Sequence, residues 1–382
     1  MIEEEKTFDV YSLSPGMNVG DLPPEAEVCK HLPYFILPHQ AVVPAGCNGT
    51  EKRSTDNSVS YIRLLKGLDF LSGYDPDAIN LSLGPAYSLP GDDPLLMTCL
   101  AFHAKNIPVI VAAGNYGVSG EGTLQPLATS PPVISVGATD KQKKLLASSS
   151  RGTPGGLCPT VVTDGSPLDI DTPIKYPPET SFAAPRVSRL VLYLQSYLRL
   201  LVNDIFVTDK DSAFGAPIRR PRIGIADTGV NPDLLPHSGS SSAFNLGKGV
   251  DTIRMSRSKE ERDWYSRYFR FLNGCGITTP PLITPEIIKK SLELSATRFD
   301  NHKPFEIGAG YVDEDAVDAF LLSIDAKKLT NLLYPDIFKE RGLSEKLTDF
   351  SDSLGSLKNE RTLQAFKIQV LPEIQLIVAK VM

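Results

Sequence analysis

Apolar residues fall along the chain in two spacings. Over residues 59–71, Val59, Ile62, Leu65, Leu68 and Leu71 recur at intervals of three, which predicts a helix with one apolar stripe. Other stretches are short, continuous apolar runs at residues 77–84, 107–113 and 132–138. Runs of that length, closed by Gly or a polar turn, predict strands buried on both faces. Residues 94–105 predict a second helix and residues 181–201 a long one. Strands alternating with helices indicate βαβ units, and so a mostly parallel sheet with helices on both faces.

The remaining segments set the organisation. Residues 1–58 form an irregular N-terminal segment rich in Pro and Gly. It holds a helix start at residues 23–27, with Pro in the first turn and acids near the positive dipole end, and a polar, turn-like stretch at 46–58. Residues 59–201 read as an α/β core, with polar loops over 139–179. Residues 202–283 read as a charged, Gly- and Ser-rich insertion with one clear strand, residues 222–227. Residues 284–320 close the core with an amphipathic helix at 287–296. Residues 321–382 form a C-terminal extension of helices plus a final alternating segment.

Composition narrows the function classes. The 382 residues carry 39 Lys and Arg against 45 Asp and Glu, a formal net charge of −6, so a polyanion-binding chain is excluded. The five cysteines, at 29, 47, 99, 158 and 275, are odd in number and form no CxxC pair, which argues against a secreted disulfide framework. The acidic first residues lack the apolar core of a signal peptide, and no run reaches the ~18–20 apolar residues of a membrane span. The expectation is a cytoplasmic chain without membrane or nucleic-acid partners. No nucleotide loop, zinc site or acidic calcium loop is visible, so no cofactor and no metal are expected.

Three places suit chemistry beyond packing. Ser181 stands at a predicted helix start, where its hydroxyl can act as a nucleophile beside free backbone amides or serve as an N-cap. Asn115 follows Gly114 at the end of a predicted strand, where a side-chain amide can donate to a developing oxyanion or simply form a turn. Asp227 ends the strand of the insertion before Thr228-Gly229, where it can orient an imidazole or close an Asx turn.

Taken together, these segments resemble the subtilisin-like serine proteases. Residues 77–84, ending in Ser82-Leu83-Gly84, are similar to the family's substrate-flanking strand. Residues 106–115, ending in Ala113-Gly114-Asn115, resemble the segment with the oxyanion-hole Asn. Thr180-Ser181-Phe182-Ala183-Ala184-Pro185 resembles the nucleophile motif Thr-Ser-x-Ala-x-Pro. Gly308-Ala309-Gly310 resembles the closing Gly-x-Gly turn. The similarity covers residues 59–200 and 284–320, about half of the chain, in family order. It implies a three-layer α/β subtilisin-like fold and a serine endopeptidase acting on a peptide or protein substrate. Ser181 would be the nucleophile, Asp227 would orient the base, and Asn115 would be an oxyanion donor. Ser82, Leu83, Gly84, Ala113 and Gly114 would pair with the substrate backbone.

Three departures stand against that pattern. Glu179 replaces the family's Gly before Thr-Ser. The Asp motif follows the Ser instead of leading the chain. The His-Gly-Thr helix is missing. Of the five histidines, His237, just after the Asp motif, is the first candidate base, with His31 or His39 as alternatives. His103 falls on a surface helix and His302 on a polar loop. A pseudoprotease with a dismantled triad, binding peptides or serving as a scaffold, is therefore the competing expectation.

Overall fold

A computed structural model describes residues 10–13, 65, 68–69, 71–72, 76–84, 91–156, 158–167, 177–206, 223–226, 246–299 and 301–379. The predicted helix start at 23–27, the polar stretch 46–58, most of residues 59–71, and His31, His39, Asp227 and His237 lie outside these residues.

Six strands form one sheet: β1 (Val10–Leu13), β2 (Ala78–Leu81), β3 (Val109–Ala112), β4 (Val133–Thr139), β5 (Val161–Asp164) and β6 (Ile223–Ala226). Their spatial order is β1-β6-β2-β3-β4-β5, and every neighbouring pair is parallel. In β2, β3 and β4 every residue is buried, which is why their sequences read as continuous apolar runs.

Within those runs, alternate residues go to opposite faces. Ile79, Leu81, Val109, Val111 and Val133 pack with Leu95, Cys99 and Phe102 of helix α1 (Pro94–Ala104), and with Leu68 and Leu71. Leu65, Leu68, Asp69, Leu71 and Ser72 are helical, in line with the spacing of three. Ala78, Ile110, Ala112, Ile134, Val136 and Val161 face helix α2 (Thr180–Phe206) on the other side. The expected three-layer α/β arrangement is present.

The structure departs from the sequence reading in four places. Residues 1–58, expected as an irregular segment, contain β1, which pairs with β6 at one edge of the sheet. The stretch 139–179, expected as polar loops, contains β5, because Val161 and Val162 pair with β4 at the sheet's far edge. The insertion is more than charged loop. Its strand β6 runs in the sheet interior between β1 and β2. It also supplies helices α3 (Leu246–Met255) and α4 (Lys259–Gly274). Ser258 caps α4 by accepting from the Glu261 amide at 3.0 Å, and Trp264, Tyr265, Tyr268 and Leu272 form its buried stripe.

The final segment, expected to alternate, is helical. After α5 (Pro285–Ser295), α6 (Pro304–Ile307), α7 (Glu314–Leu322), α8 (Ala326–Leu333), α9 (Ile337–Glu340) and α10 (Ser344–Leu354), the chain ends in α11 (Glu360–Ala379). Leu363, Phe366, Val370 and Ile374 recur at helical spacing on its buried face, and tertiary burial of that face overrides the local alternation.

Helix α11 lies along α2. Phe366 is fully buried, stacked on Tyr193 with ring centroids 5.6 Å apart and edge-on to Tyr197 at 5.2 Å. Phe366→Ala is expected to lower unfolding free energy by about 3–5 kcal/mol, the range for emptying a buried aromatic site. Urea titration followed by circular dichroism checks it. A loss below ~1 kcal/mol would mean that α11 is not part of the cooperative core.

Candidate active site

The first turn of α2 shapes the site. Ser181 is its second residue, and the Ser181 amide and hydroxyl make no hydrogen bond among the described residues. Four residues on, Pro185 has no N–H to donate to the Ser181 carbonyl. That carbonyl accepts instead from Ser82 Oγ at 3.0 Å. Ser82 Oγ in turn accepts from Asn80 Nδ2 at 2.9 Å, and Asn80 Oδ1 accepts from Ser188 Oγ at 2.9 Å. A buried polar chain thus ties the end of β2 to the helix turn carrying Ser181.

Asn115 is held from the same turn. Its Oδ1 accepts from the Thr180 amide at 3.1 Å and from Thr180 Oγ1 at 2.9 Å. Thr180 Oγ1 accepts from the Gly114 amide at 3.3 Å. Gly114 has φ +103°, left-handed backbone that favours glycine and turns the chain from β3 towards α2. Two donors on Oδ1 fix the amide's orientation, leaving Asn115 Nδ2 as the donor that faces the cleft edge. Nδ2 donates one hydrogen to Glu179 Oε2 at 3.2 Å. Burial pushes the Glu179 carboxyl above the ordinary Glu range, and the Asn115 hydrogen bond pulls the other way without cancelling it.

Ser82, Leu83, Gly84, Gly114, Asn115 and Ser181, all read from the sequence as site residues, line one cleft of about 150 Å³ with Ala112, Tyr116, Gln125 and Thr180. Ala113 is buried beside Gly114, at the end of β3. The carboxyl edge of a parallel sheet is where open α/β folds bind ligands.

Asp227 follows β6 directly in sequence. Ala226, the residue before it, is paired with Leu81, the residue before Ser82. The two histidines among the described residues lie elsewhere. His103 Nε2 is 2.8 Å from Glu286 Oε1, and His302 Nδ1 is 3.6 Å from Glu306 Oε2. No group of three or more metal-ligating side chains occurs among the described residues.

The sequence reading missed Thr180, Asn80, Ser188 and Gln125. Asn80 had a visible signal: it is a polar residue inside an apolar strand run, and such a residue needs a buried partner.

Residues 41–204 match the model of the subtilase family. That segment is therefore subtilase-like and protease-like in kind, consistent with the parallel sheet, the Ser-bearing helix and the cleft between them. Among solved structures, the chain is similar to the prenylagaramide maturation protease PagA, at 17% identity over 70% of each chain with a TM-score of 0.40. It is also similar to the patellamide maturation protease PatA, at 16% identity over 70% of this chain and 72% of that one, TM-score 0.38. A lanthipeptide protease matches at 13% identity over 70% and 68%, TM-score 0.36. No curated protein matches the sequence. Among the described residues no helix is long and apolar enough to cross a membrane.

The Glu179 environment has a pH signature. A carboxyl raised in the folded state binds its proton more readily folded than unfolded, so stability falls as pH rises from the unfolded Glu value, about 4.3, through the raised folded value. Glu179→Gln keeps an acceptor for Asn115 without the buried charge. It is expected to be more stable than the native chain at about pH 7, and the two should converge below about pH 4. The gap should stay under ~1 kcal/mol, because the carboxyl is half exposed. Thermal melts across that range check it, and a gap that widens towards acid would overturn the sign.

Proposed function

We propose that this chain is a serine endopeptidase of subtilisin type. The observation that carries the proposal is the pairing, in one cleft, of Ser181 in the first turn of α2, its amide unpartnered among the described residues, with an Asn115 amide oriented by Thr180. In the proposed reaction, Ser181 Oγ attacks the peptide carbonyl. The Ser181 amide and Asn115 Nδ2 hold the oxyanion. A histidine takes the Ser181 proton and returns it to the leaving amine, with His237 as first candidate and His31 or His39 as alternatives. Asp227 orients that imidazole. The parallel pairing of β6 with β2 supports the Asp227 role, since it brings the strand before Asp227 alongside the strand before Ser82. The substrate would lie as an extended strand along Ser82-Leu83-Gly84 and Ala113-Gly114.

A specific observation favours a second reading, a pseudoprotease that binds peptides without turnover. Glu179 engages Asn115 Nδ2 and places a carboxylate where oxyanion charge would develop. An acid there opposes the transition state while leaving ground-state peptide binding intact.

A fluorophosphonate probe separates the two readings, since it labels only an activated serine. The endopeptidase reading expects labelling that disappears in Ser181→Ala and falls at least tenfold in one of His237→Ala, His31→Ala or His39→Ala. It also expects faster labelling in Glu179→Gly. No labelling of the native chain or of Glu179→Gly between about pH 6 and 9, where an ordinary imidazole base is free, establishes the pseudoprotease.

A further inference from the structure

Among the residues lining the cleft, Gln125 carries a polar atom that the proposed chemistry leaves unused. Gln125 is only 6% exposed, and its backbone is anchored by a hydrogen bond from its amide to the Ala113 carbonyl at 2.9 Å. Its Nε2 donates to the Leu83 carbonyl at 3.3 Å and to the Ala112 carbonyl. Those carbonyls belong to the two segments that flank the cleft, so the carboxamide is a strut between them. With Nε2 on two acceptors, the amide cannot be turned over. Oε1 is therefore left buried with no donor among the described residues.

Gly84 makes this arrangement possible. A Cβ at position 84 would overlap the Gln125 carboxamide, so glycine leaves the room that the amide oxygen occupies. An unpaired buried acceptor costs about 1–3 kcal/mol, and in a native structure it calls for a cause. Here the residue that carries the acceptor lines the cleft, and the acceptor packs against Gly84, in the segment where a substrate strand would run.

Resting on the peptide-cleft reading above, we infer that Gln125 is the specificity-determining residue of this site. It selects peptides that present a side-chain N–H or O–H donor over Gly84. A donor that reaches Oε1 satisfies the acceptor, whereas an apolar isostere leaves it without a partner. A site built to pair with a polar group discriminates against the analogue that lacks it much more strongly than an apolar pocket sorts by size. The cleft is small, about 150 Å³, which suits Thr, Ser, Asn or Gln side chains better than large aromatic ones.

The test uses binding, so it does not depend on turnover. The full chain carrying Ser181→Ala is titrated with fluorescein-labelled hexapeptides. Gln is exchanged for Met, or Thr for Val, one position at a time, and anisotropy is read. One position is expected at which the donor-bearing peptide binds at least about tenfold more tightly. Adding Gln125→Leu should abolish that preference while the Met and Val peptides still bind. Gly84→Ala, which displaces the carboxamide and also alters the substrate-binding strand, should remove the preference among the peptides that still bind. Thermal melts establish that each variant is folded. Peptide binding with no such preference, or with a preference that survives both substitutions, overturns the inference and leaves the peptide-cleft reading standing. No binding of any peptide by the folded Ser181→Ala chain overturns both.

Discussion

Burial of α2 on almost every side is the constraint from which the rest of the structure follows. Of its 27 residues, 20 are buried, so it has no solvent face along most of its length. The sheet covers one side with Ala78, Ile110, Ile134 and Val136, while α4 and α11 cover the other with Tyr268, Leu272, Leu363 and Phe366. A helix enclosed in this way can neither rotate nor slide without opening a close-packed interior. Its first turn, and with it Ser181, is therefore fixed relative to the sheet edge. Several polar groups in the covering layer are paired, while Asn359 Oδ1, Arg254 Nη2 and Arg257 Nε have no hydrogen-bond partner among the described residues. Tyr197 Oη accepts from Asn359 Nδ2 at 2.6 Å, Tyr193 Oη donates to Asp318 at 2.5 Å, and Asp204 pairs with Arg254 and Arg257. Hydrogen bonds of this kind add direction to contacts that are otherwise only apolar.

At the mouth of that helix, one proline and one acid act in different directions. Pro185 frees the Ser181 carbonyl, and Ser82 takes it up, so a helix defect becomes the joint between β2 and α2. Glu179 is fastened by its backbone to Gly165 at 2.9 Å and reaches Asn115 with its side chain. A helix N-terminus favours an acid and burial penalises one. Burial prevails here, as the raised carboxyl shows. The same contact that steadies Asn115 occupies one of its two amide hydrogens.

The late strand β6 is less anomalous in space than in sequence. A parallel strand needs a partner edge and the correct direction, and the sheet does not register the order in which strands are connected. β6 meets both needs between β1 and β2. The closure cost of a long connection rises only with the logarithm of its length, so reaching that slot from far along the chain adds little.

Local pattern determined much of this protein. The buried strands were legible because both faces of a parallel sheet are covered and only apolar runs fit there. α1, α2 and α5 were legible from periodicity and starts, and Ser181 and Asn115 from their places at a helix start and a strand end. Tertiary structure alone decided the remainder. The apolar alternation near the C-terminus became a helix because α2 needed its stripe of Leu363, Phe366, Val370 and Ile374. β5 and β6 gained their places from neighbours distant in sequence. Asn80, Ser188 and Gln125 became site residues only through partners 108, 42 or 13 positions away, or beside them in β2. Hydrogen bonds between such residues depend on distances in space, and spacing along a chain encodes those distances only within a single turn or strand.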